Sequence, residues 1–206
     1  MSWLISEAHS NQSMKIRKLI GEKCYLAPIS SASAEAYAKW DNDLEVAIPL
    51  GDEAYISTTV ESLQNDLSGV FSKKSHLYDI VTLKDDLIIG RCMFFDVNQT
   101  DKAAKVGIVI GEKDYWNQGY GTEALQLLLE YGFQILNFHN VMLGVYSYNT
   151  RAIKCYEKVG FKLVGRRREA RIVGARKYDM IYMDLLAREL EVKYLKGLLD
   201  KIGLER

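Results

Sequence analysis

The sequence has no excess of charge of either sign. Its 206 residues include 27 Lys and Arg against 27 Asp and Glu, so the formal net charge at pH 7 is zero. Binding to nucleic acid through phosphate neutralisation needs a surplus of basic residues, and this balance argues against nucleic-acid partners. A chain of this length predicts one domain with short appendages, large enough to bury a hydrophobic core.

Cysteine and histidine are also scarce, with three of each. The cysteines are odd in number and lack CxxC spacing, which predicts reduced thiols and a cytoplasmic protein. The histidines are too scattered to indicate a metal site. Residues 1–17 have the pattern of neither a signal peptide nor a spanning helix, so no membrane association is expected.

A glycine-rich turn is the most informative feature that the sequence does contain. It follows the apolar run 106–110 and reads Trp-Asn-Gln-Gly-Tyr-Gly-Thr-Glu-Ala over residues 116–124. Gly119 and Gly121 lack a Cβ, so the backbone can bend sharply and approach a ligand closely. The free N–H groups of the helix that starts here form a socket for phosphate or pyrophosphate. The spacing fits neither a P-loop nor a complete dinucleotide fingerprint.

A second motif follows the strand-like run 141–146. Residues 149–161 read Asn-Thr-Arg-Ala-Ile-Lys-Cys-Tyr-Glu-Lys-Val-Gly-Phe. Asn149 is a favourable helix N-cap, and Gly160 falls where a left-handed C-cap is expected. Apolar residues lie at helical spacing between them, which predicts a helix over 149–159.

Together the two motifs resemble the GNAT superfamily of acetyl-coenzyme A-dependent N-acetyltransferases. The first is similar to the family's Arg/Gln-x-x-Gly-x-Gly/Ala loop, and the second to its Asn-x-x-Ala-x-x-x-Tyr-x-x-x-Gly-Phe signature. The chain resembles most the branch of ribosomal-protein alanine and spermidine acetyltransferases. The family often has Arg or Gln where Trp116 stands and Gly where Asn117 stands, a difference that a socket of backbone N–H groups should tolerate.

The resemblance implies an α/β (α+β) GNAT fold. Its central sheet would be mixed but mostly antiparallel, with six to seven strands, a splayed strand pair and flanking helices. Residues 1–22 would be an N-terminal extension, 23–186 the GNAT domain and 187–206 a helical tail. The implied cosubstrate is acetyl-CoA, with no metal, and the resemblance is compatible with a homodimer.

Local patterns predict the order of the elements. Thr58-x-x-Glu61 reads as a capping box that starts a helix ending near Ser68. The helix after the glycine turn places Glu123, Gln126 and Glu130 on one face. Strands are predicted at 24–29, 78–83, 87–97, 106–110, 141–146, 161–172 and 177–185, and further helices at 32–42 and 186–199.

The resemblance also implies the site residues. Tyr156 would reprotonate the departing thiolate, and Asn149 would bond the coenzyme as well as cap its helix. Main-chain N–H groups at the bend after strand 106–110 would act as an oxyanion hole for the thioester carbonyl. The residues implied to bind the coenzyme are Val109, Ile110, Gly111, Asn117, Gln118, Gly119, Tyr120, Gly121, Thr122 and Asn149.

An acceptor amine must lose a proton before it attacks. With a pKa near ~10.4, this costs about 4–5 kcal/mol at pH 7, and a carboxylate can take the proton. Glu112 is the first candidate for this base, and Glu45 and Asp96 are the next candidates. Asp43 and Glu45 belong to an acidic stretch over 41–53, which either faces the acceptor or is a polar loop. If it faces the acceptor, a cationic amine or a peptide N-terminus is favoured.

Several alternatives stay open. Cys155 could form an acyl-enzyme, although an inert buried thiol is favoured. The basic run consists of Arg166, Arg167, Arg168, Arg171, Arg176 and Lys177. It is either a solvated strand face or a site for an acidic substrate or the coenzyme's 3′-phosphate, and the solvated face is favoured. The competing class is a catalytically inactive coenzyme A-binding sensor or interaction module, which the presence of both Asn149 and Tyr156 disfavours. The acceptor could be a protein N-terminus, a polyamine, an amino sugar or another small amine.

Overall fold

The computed structural model describes residues 16–30, 32–72 and 76–203. It contains one eight-stranded sheet with the order β1-β2-β3-β4-β5-β6-β8-β7. The strands are β1 (Leu19–Ile20), β2 (Cys24–Pro28), β3 (His76–Thr82), β4 (Ile88–Asn98), β5 (Ala103–Ile110), β6 (Asn140–Tyr146), β7 (Lys162–Val173) and β8 (Arg176–Leu186). Seven of these correspond to predicted strands, and the short β1 is the additional one.

Every neighbouring pair in the sheet is antiparallel except β5 and β6, which run parallel. These two strands are paired only at Ala103 with Asn140, Ala104 with Val141 and Lys105 with Met142. Beyond those residues they separate, which leaves a gap in the middle of the sheet. The predicted mixed sheet with a splayed strand pair is confirmed.

Helices cover both faces of the sheet. They are α1 (Ser33–Asp41), α2 (Leu44–Leu50), α3 (Val60–Ser72), α4 (Tyr120–Gln134), α5 (Thr150–Val159) and α6 (Lys196–Lys201). Because side chains alternate along a strand, Cys24 and Leu26 of β2 join the core under α4, whereas Tyr25 and Ala27 face the other way. A separate apolar cluster around Trp40 holds α1 and α2 together on its own side of the molecule.

One prediction about the segment between α1 and α3 is wrong, and one of the two alternatives for the acidic stretch changes. The capping box lies one residue later than predicted: Thr59 Oγ1 accepts from the Ser62 N–H (3.0 Å), and Ser62 Oγ accepts from the Thr59 N–H (3.1 Å). Thr58 is instead held by the side chain of Asn42. The acidic stretch is not a loop throughout, because Asp43 caps α2 by accepting from the Glu45 N–H (3.0 Å).

The polar face of α4 is buried, and its carboxylates hold neighbouring loops. Glu123 Oε1 accepts from the N–H groups of residues 22, 23 and 24 at 2.9, 2.7 and 3.0 Å. Glu130 is fully buried and accepts from the N–H groups of Lys193, Tyr194 and Leu195 at 2.8, 2.9 and 2.8 Å. Each carboxylate therefore supplies acceptors to backbone donors that have no partner of their own in a helix or strand.

This arrangement explains why the tail is not the continuous helix predicted over 186–199. A short 3-10 helix covers Ala187–Glu189, and α6 starts only at Lys196. The three N–H groups at 193–195 point at Glu130 rather than along a helix axis. The division of the chain after residues 22 and 186 stays a prediction.

We expect Glu130→Gln to lower the free energy of unfolding by about 3 kcal/mol. An amide has one acceptor oxygen, so its NH₂ group would face the donors that Glu130 Oε1 now satisfies, and buried unpaired donors cost about 1–3 kcal/mol each. Urea unfolding measures the change. Glu157→Gln, an exposed site on α5, is the matched control and should shift stability by less than about 0.5 kcal/mol. Equal stabilities of the two variants would contradict this role of Glu130.

Candidate active site

Two cavities open where β5 and β6 separate. The first has a volume of about 240 Å³ and lies among the end of β5, the start of α4 and one side of α5. The second, of about 420 Å³, lies on the other side of α5's first turns, between α2 and strands β4, β5, β6 and β8. Six residues border both cavities: Pro49, Leu50, Ile108, Val109, Asn149 and Tyr156.

The first cavity contains the predicted anion socket. Asn117 (φ 60°) and Gly119 (φ 90°) both adopt left-handed backbone, which turns the chain into α4. No side chain caps this helix, and its first internal bond is from Glu123 N–H to Gly119 O (3.0 Å). The N–H groups of the three residues before Glu123 are therefore free of helical partners, at the positive end of a 15-residue helix.

Gly121 leaves space in this socket that the chain's own packing does not use. A Cβ there would lie 3.6 Å from Ile110 Cγ1 and 3.8 Å from Cys155 Sγ, which are ordinary contact distances. Gly121 also lines the cavity and does not need left-handed backbone. A glycine is therefore required here only if a ligand approaches the backbone, and the site fits a pyrophosphate.

Basic side chains of α5 surround the socket, and the sequence reasoning missed them. Arg151, Lys154 and Lys158 line the first cavity. The Arg151 guanidinium lies 3.4 Å from the centre of the Trp116 ring, and the Trp116 indole N–H donates to Ile110 O (2.7 Å). Trp116 also lines this cavity and holds the Arg151 cation beside the socket. The spacing of the three basic residues along one side of α5 is the signal that could have found them.

The other predicted coenzyme residues fall into two groups. Val109, Ile110, Asn117, Thr122 and Asn149 line the first cavity together with the two glycines. Gln118 and Tyr120 do not line it, because Gln118 bonds to Asp114 O and accepts from Lys23, and Tyr120 packs edge-on against Tyr115. Gln118 and Tyr120 can therefore contribute only backbone groups to the anion socket.

The prediction of an unpaired N–H at Gly111 is wrong. That N–H donates to Ile89 O (2.8 Å), and a Cβ on Gly111 would overlap the Trp40 ring, so this glycine serves packing. In an antiparallel ladder successive residues point their N–H groups to opposite sides. The N–H groups of Ile108 and Ile110 therefore face away from β4, into the gap that both cavities share.

Tyr156 lies at the boundary of the two cavities. It is buried on α5, with its ring edge-on to Phe161 at 5.9 Å between centroids. Asn149 starts this helix by accepting from the Ala152 N–H (3.1 Å) and ties it to α2 by donating to Pro49 O (3.2 Å). Burial, and secondly the neighbouring Cys155, raise the pKa of Tyr156 well above its usual value of 10.0. The hydroxyl therefore keeps its proton at neutral pH.

Glu112 lines neither cavity. Its carboxylate accepts from Lys39 Nζ (2.7 Å) and from the Trp40 indole N–H (2.9 Å). Burial raises its pKa, but the bonds from Lys39 and Trp40 outweigh burial, and the pKa is lowered overall. A paired carboxylate with a lowered pKa is a poor proton acceptor, so the geometry disfavours Glu112 as the base.

The other predicted carboxylates are also engaged elsewhere. Asp43 and Glu45 both contact Lys113 Nζ, at 2.8 and 2.9 Å, and neither lines a cavity. The bond from Lys113 is the largest of the influences that lower the pKa of Asp43. Asp96 pairs with Lys105 on the surface. From the acidic stretch, only Asp52 and Glu53 line the second cavity.

Cys155 has the properties of an inert thiol. Its Sγ lies 3.4 Å from Thr122 Oγ1, and burial raises the thiol's pKa, which keeps the thiolate population small. All three cysteines are free. In the described part of the chain, no group of three or more His, Cys, Asp or Glu side chains is placed to hold a metal ion. A search of the same residues for a helix long and apolar enough to cross a membrane finds none.

Comparison with known proteins identifies the family. A family model described as an acetyltransferase (GNAT) domain matches residues 23–162. The chain belongs to the GNAT acetyltransferase family. The predicted family, fold class and enzyme class, a GNAT N-acetyltransferase, are thereby confirmed.

Individual GNAT relatives agree with this. The chain is 27% identical to the uncharacterized N-acetyltransferase p20 of Bacillus licheniformis, over 83% of this chain and 97% of that protein. It is 30% identical to the spermidine N(1)-acetyltransferase of Escherichia coli K12, over 48% and 55%. Its fold is similar to that of the spermidine N-acetyltransferase from Vibrio cholerae in complex with CoA and spermine, with a TM-score of 0.73, 20% identity and coverage of 81% and 96%. At this low identity the structural likeness shows the fold alone.

Proposed function

We propose that this GNAT enzyme transfers an acetyl group directly from acetyl-coenzyme A to a primary amine. The observation that carries the proposal is the position of Tyr156, at the boundary between a cavity with an anion socket and a second, larger cavity. Two substrates bound in these cavities would meet beside the Tyr156 hydroxyl. An anion socket alone would also suit a coenzyme-binding sensor, but a sensor needs no second cavity at the same tyrosine.

The first cavity would hold the coenzyme. Backbone N–H groups of residues 120–122 would take the pyrophosphate, with Arg151, Lys154 and Lys158 adding positive charge. The N–H groups of Ile108 and Ile110 would donate to the thioester carbonyl oxygen as negative charge develops on it. Bound acetyl-coenzyme A supplies the acetyl group as a thioester.

Proton transfer is assigned to two side chains that line the second cavity. We propose that Glu53, rather than Glu112, takes the proton from the acceptor, directly or through a water. Glu53 lines the second cavity, and its carboxylate makes no hydrogen bond or ion pair with the residues whose side chains the structure describes, so it is free to accept. The amine nitrogen then forms its bond to the acetyl carbon, the carbon–sulfur bond breaks, and the Tyr156 hydroxyl gives a proton to the leaving sulfur.

The acceptor class follows in part from the relatives. The Escherichia coli protein is named for acetylation of spermidine, and the Vibrio cholerae structure contains spermine, so amines are the acceptors to test first. Polyamines carry several positive charges, yet two of the acids expected to attract them, Asp43 and Glu45, are paired with Lys113 outside both cavities. Amines with a single amino group therefore belong in the same test.

We expect the purified protein to release free thiol from acetyl-coenzyme A only when a suitable primary amine is present. The panel contains spermidine, amino acids, an amino sugar and short peptides with free N-termini, and the acetylated product is identified by mass spectrometry. An N-terminally blocked peptide without lysine is the matched negative control. Binding of acetyl-coenzyme A with no thiol release from any amine would contradict the proposal and favour the sensor.

A further inference from the structure

Arg171 differs from the other arginines of its strand. Arg166, Arg167 and Arg168 of β7 are exposed to solvent, as the sequence predicts for a solvated face. The side chain of Arg171 is only 16% exposed and lines the second cavity. The change coincides with an irregularity of β7 between residues 167 and 171, where Glu169 has a φ of 50°. Such a bulge can redirect a side chain.

The surroundings of Arg171 hold its guanidinium in place but do not use all its donors. It lies over the rings of Tyr146 and Tyr55, 4.5 and 5.3 Å from their centroids, and bonds to the Tyr146 hydroxyl. Nη2 donates to Asp52 Oδ1 at 2.7 Å. Nε is buried and has no hydrogen-bond partner among the described residues. A buried donor without a partner is unfavourable, so a ligand that satisfies it would be stabilised.

The contact of Asp52 with Arg171 shows that a carboxylate fits beside this guanidinium. Asp52 places a carboxylate oxygen on Nη2, but its own side chain is 85% exposed. The ion pair is open to solvent on the Asp52 side, so another carboxylate can reach Nη2 and take the place of the Asp52 carboxylate. A replacing carboxylate could take Nη2 and Nε together, the side-on bidentate arrangement that guanidinium favours.

Glu53 and this arginine both lie close to Gly51. A Cβ built on Gly51 would lie 3.7 Å from Arg171 Nη2 and 3.9 Å from Glu53 Oε2. Gly51 itself has a φ of 137°, which other residues rarely adopt. A positive and a negative side chain therefore face the same small space in the cavity. That pairing complements a ligand whose ammonium and carboxylate are close together.

The rest of the second cavity is largely apolar. Met93, Phe95, Val106 and Met180 form part of its lining. Its other arginine, Arg91, is already paired with buried Asp41 at 2.7 Å. A ligand in this cavity would therefore place an uncharged, apolar part against these residues.

We infer that the acceptor is an amine with a carboxylate on the adjacent carbon, an apolar α-amino acid, and that Arg171 binds this carboxylate. The inference rests on the proposed acetyl transfer and names its acceptor class. Glu53 faces the amine, and the apolar lining takes the side chain. Arg171 is then a specificity-determining residue, because it contacts the acceptor without touching the acetyl group.

Matched acceptors test this inference. We expect kcat/KM for L-phenylalanine or L-methionine to exceed that for the corresponding carboxamide by about 10-fold or more, because a carboxylate can replace Asp52 on the guanidinium and a neutral carboxamide cannot pair with that charge. The ammonium group of the carboxamide loses its proton more easily than that of the amino acid, so more of the carboxamide is in the reactive amine form. This difference favours the carboxamide and opposes the expected preference for the amino acid. Phenethylamine, which lacks the carboxylate, and spermidine complete the set.

Variants locate the effect. Arg171→Gln should raise KM for the amino acid about 10-fold or more and leave kcat/KM for the carboxamide and KM for acetyl-coenzyme A unchanged. Arg168→Gln, an exposed arginine on the same strand, is the control and should keep the preference. Asp52→Asn should lower KM for the amino acid, because it removes the competing carboxylate.

The outcomes separate the two proposals. Acetylation of carboxamides, simple amines or spermidine as efficiently as amino acids would overturn the inference and leave the acetyl transfer standing. An unchanged preference in Arg171→Gln, or a higher KM for the amino acid in Asp52→Asn, would overturn it as well. If only a peptide or an amino sugar of the wider panel is acetylated, the inference falls and the acetyl transfer stands. If no amine of the set or of the panel is acetylated, the proposed function and the inference fall together.

Discussion

Replacing Gly121 with valine should weaken binding of acetyl-coenzyme A by at least about 100-fold, or about 2.8 kcal/mol, while the protein still folds. The site has room for a Cβ, with ordinary contacts to Ile110 and Cys155, so the fold tolerates the change. The two added methyl groups would occupy the space above the free N–H groups of α4, where the pyrophosphate would lie. Isothermal titration calorimetry measures the affinity, and thermal unfolding checks the fold.

Gly165→Val provides the comparison for this variant. Gly165 lies on β7 with no atom within 4 Å of a built Cβ, and it lines neither cavity. This second glycine-to-valine change should leave the affinity for acetyl-coenzyme A unaltered. Undiminished binding by the Gly121 variant would place the coenzyme elsewhere.

Tyr156→Phe should lower kcat by at least about 10-fold and leave coenzyme binding nearly unchanged. The substitution removes one hydroxyl and keeps the ring, so the edge-on packing against Phe161 remains. General acids typically contribute about 10²–10⁴-fold, and loss of a proton donor used only in the transition state lowers kcat and kcat/KM together. Steady-state kinetics with the best amine of the panel measure both.

The control is a tyrosine outside the cavities. Tyr182 on β8 is partly exposed and borders neither cavity, and Tyr182→Phe should turn over like the wild type. Wild-type turnover by Tyr156→Phe would assign that residue to core packing. The raised pKa of Tyr156 adds a second check, because its hydroxyl should stay protonated throughout the neutral range, and the wild-type rate should not fall there through loss of this proton.

The parts of the fold that the sequence predicts are those with local signals. Asn149 and Gly160 mark the ends of α5, and the cap at Asn149 and the left-handed Gly160 (φ 111°) are both present. The glycines at 119 and 121 mark the start of α4 in the same way. Caps and glycine turns act within a few residues, so short motifs carry enough information.

What the sequence does not reveal depends on contacts between distant residues. Nothing near Glu130 indicates that the N–H groups donating to its carboxylate lie more than sixty positions away, in a tail whose own pattern suggests a helix. The residues next to Glu112 in the sequence likewise give no sign that Lys39 and Trp40 donate hydrogen bonds to its carboxylate. Arg171 looks like its neighbours along β7, and only the bulge and the position of Tyr146 set it apart.

The gap between β5 and β6 constrains how this protein could be stabilised. Continuing the pairing beyond Lys105 and Met142 would satisfy more backbone groups and close an edge inside the sheet. The same change would remove the space in which the two cavities meet. Substitutions that stabilise the ligand-free protein by closing this gap should therefore reduce its activity. The incomplete pairing of β5 with β6 thus sets stability against function.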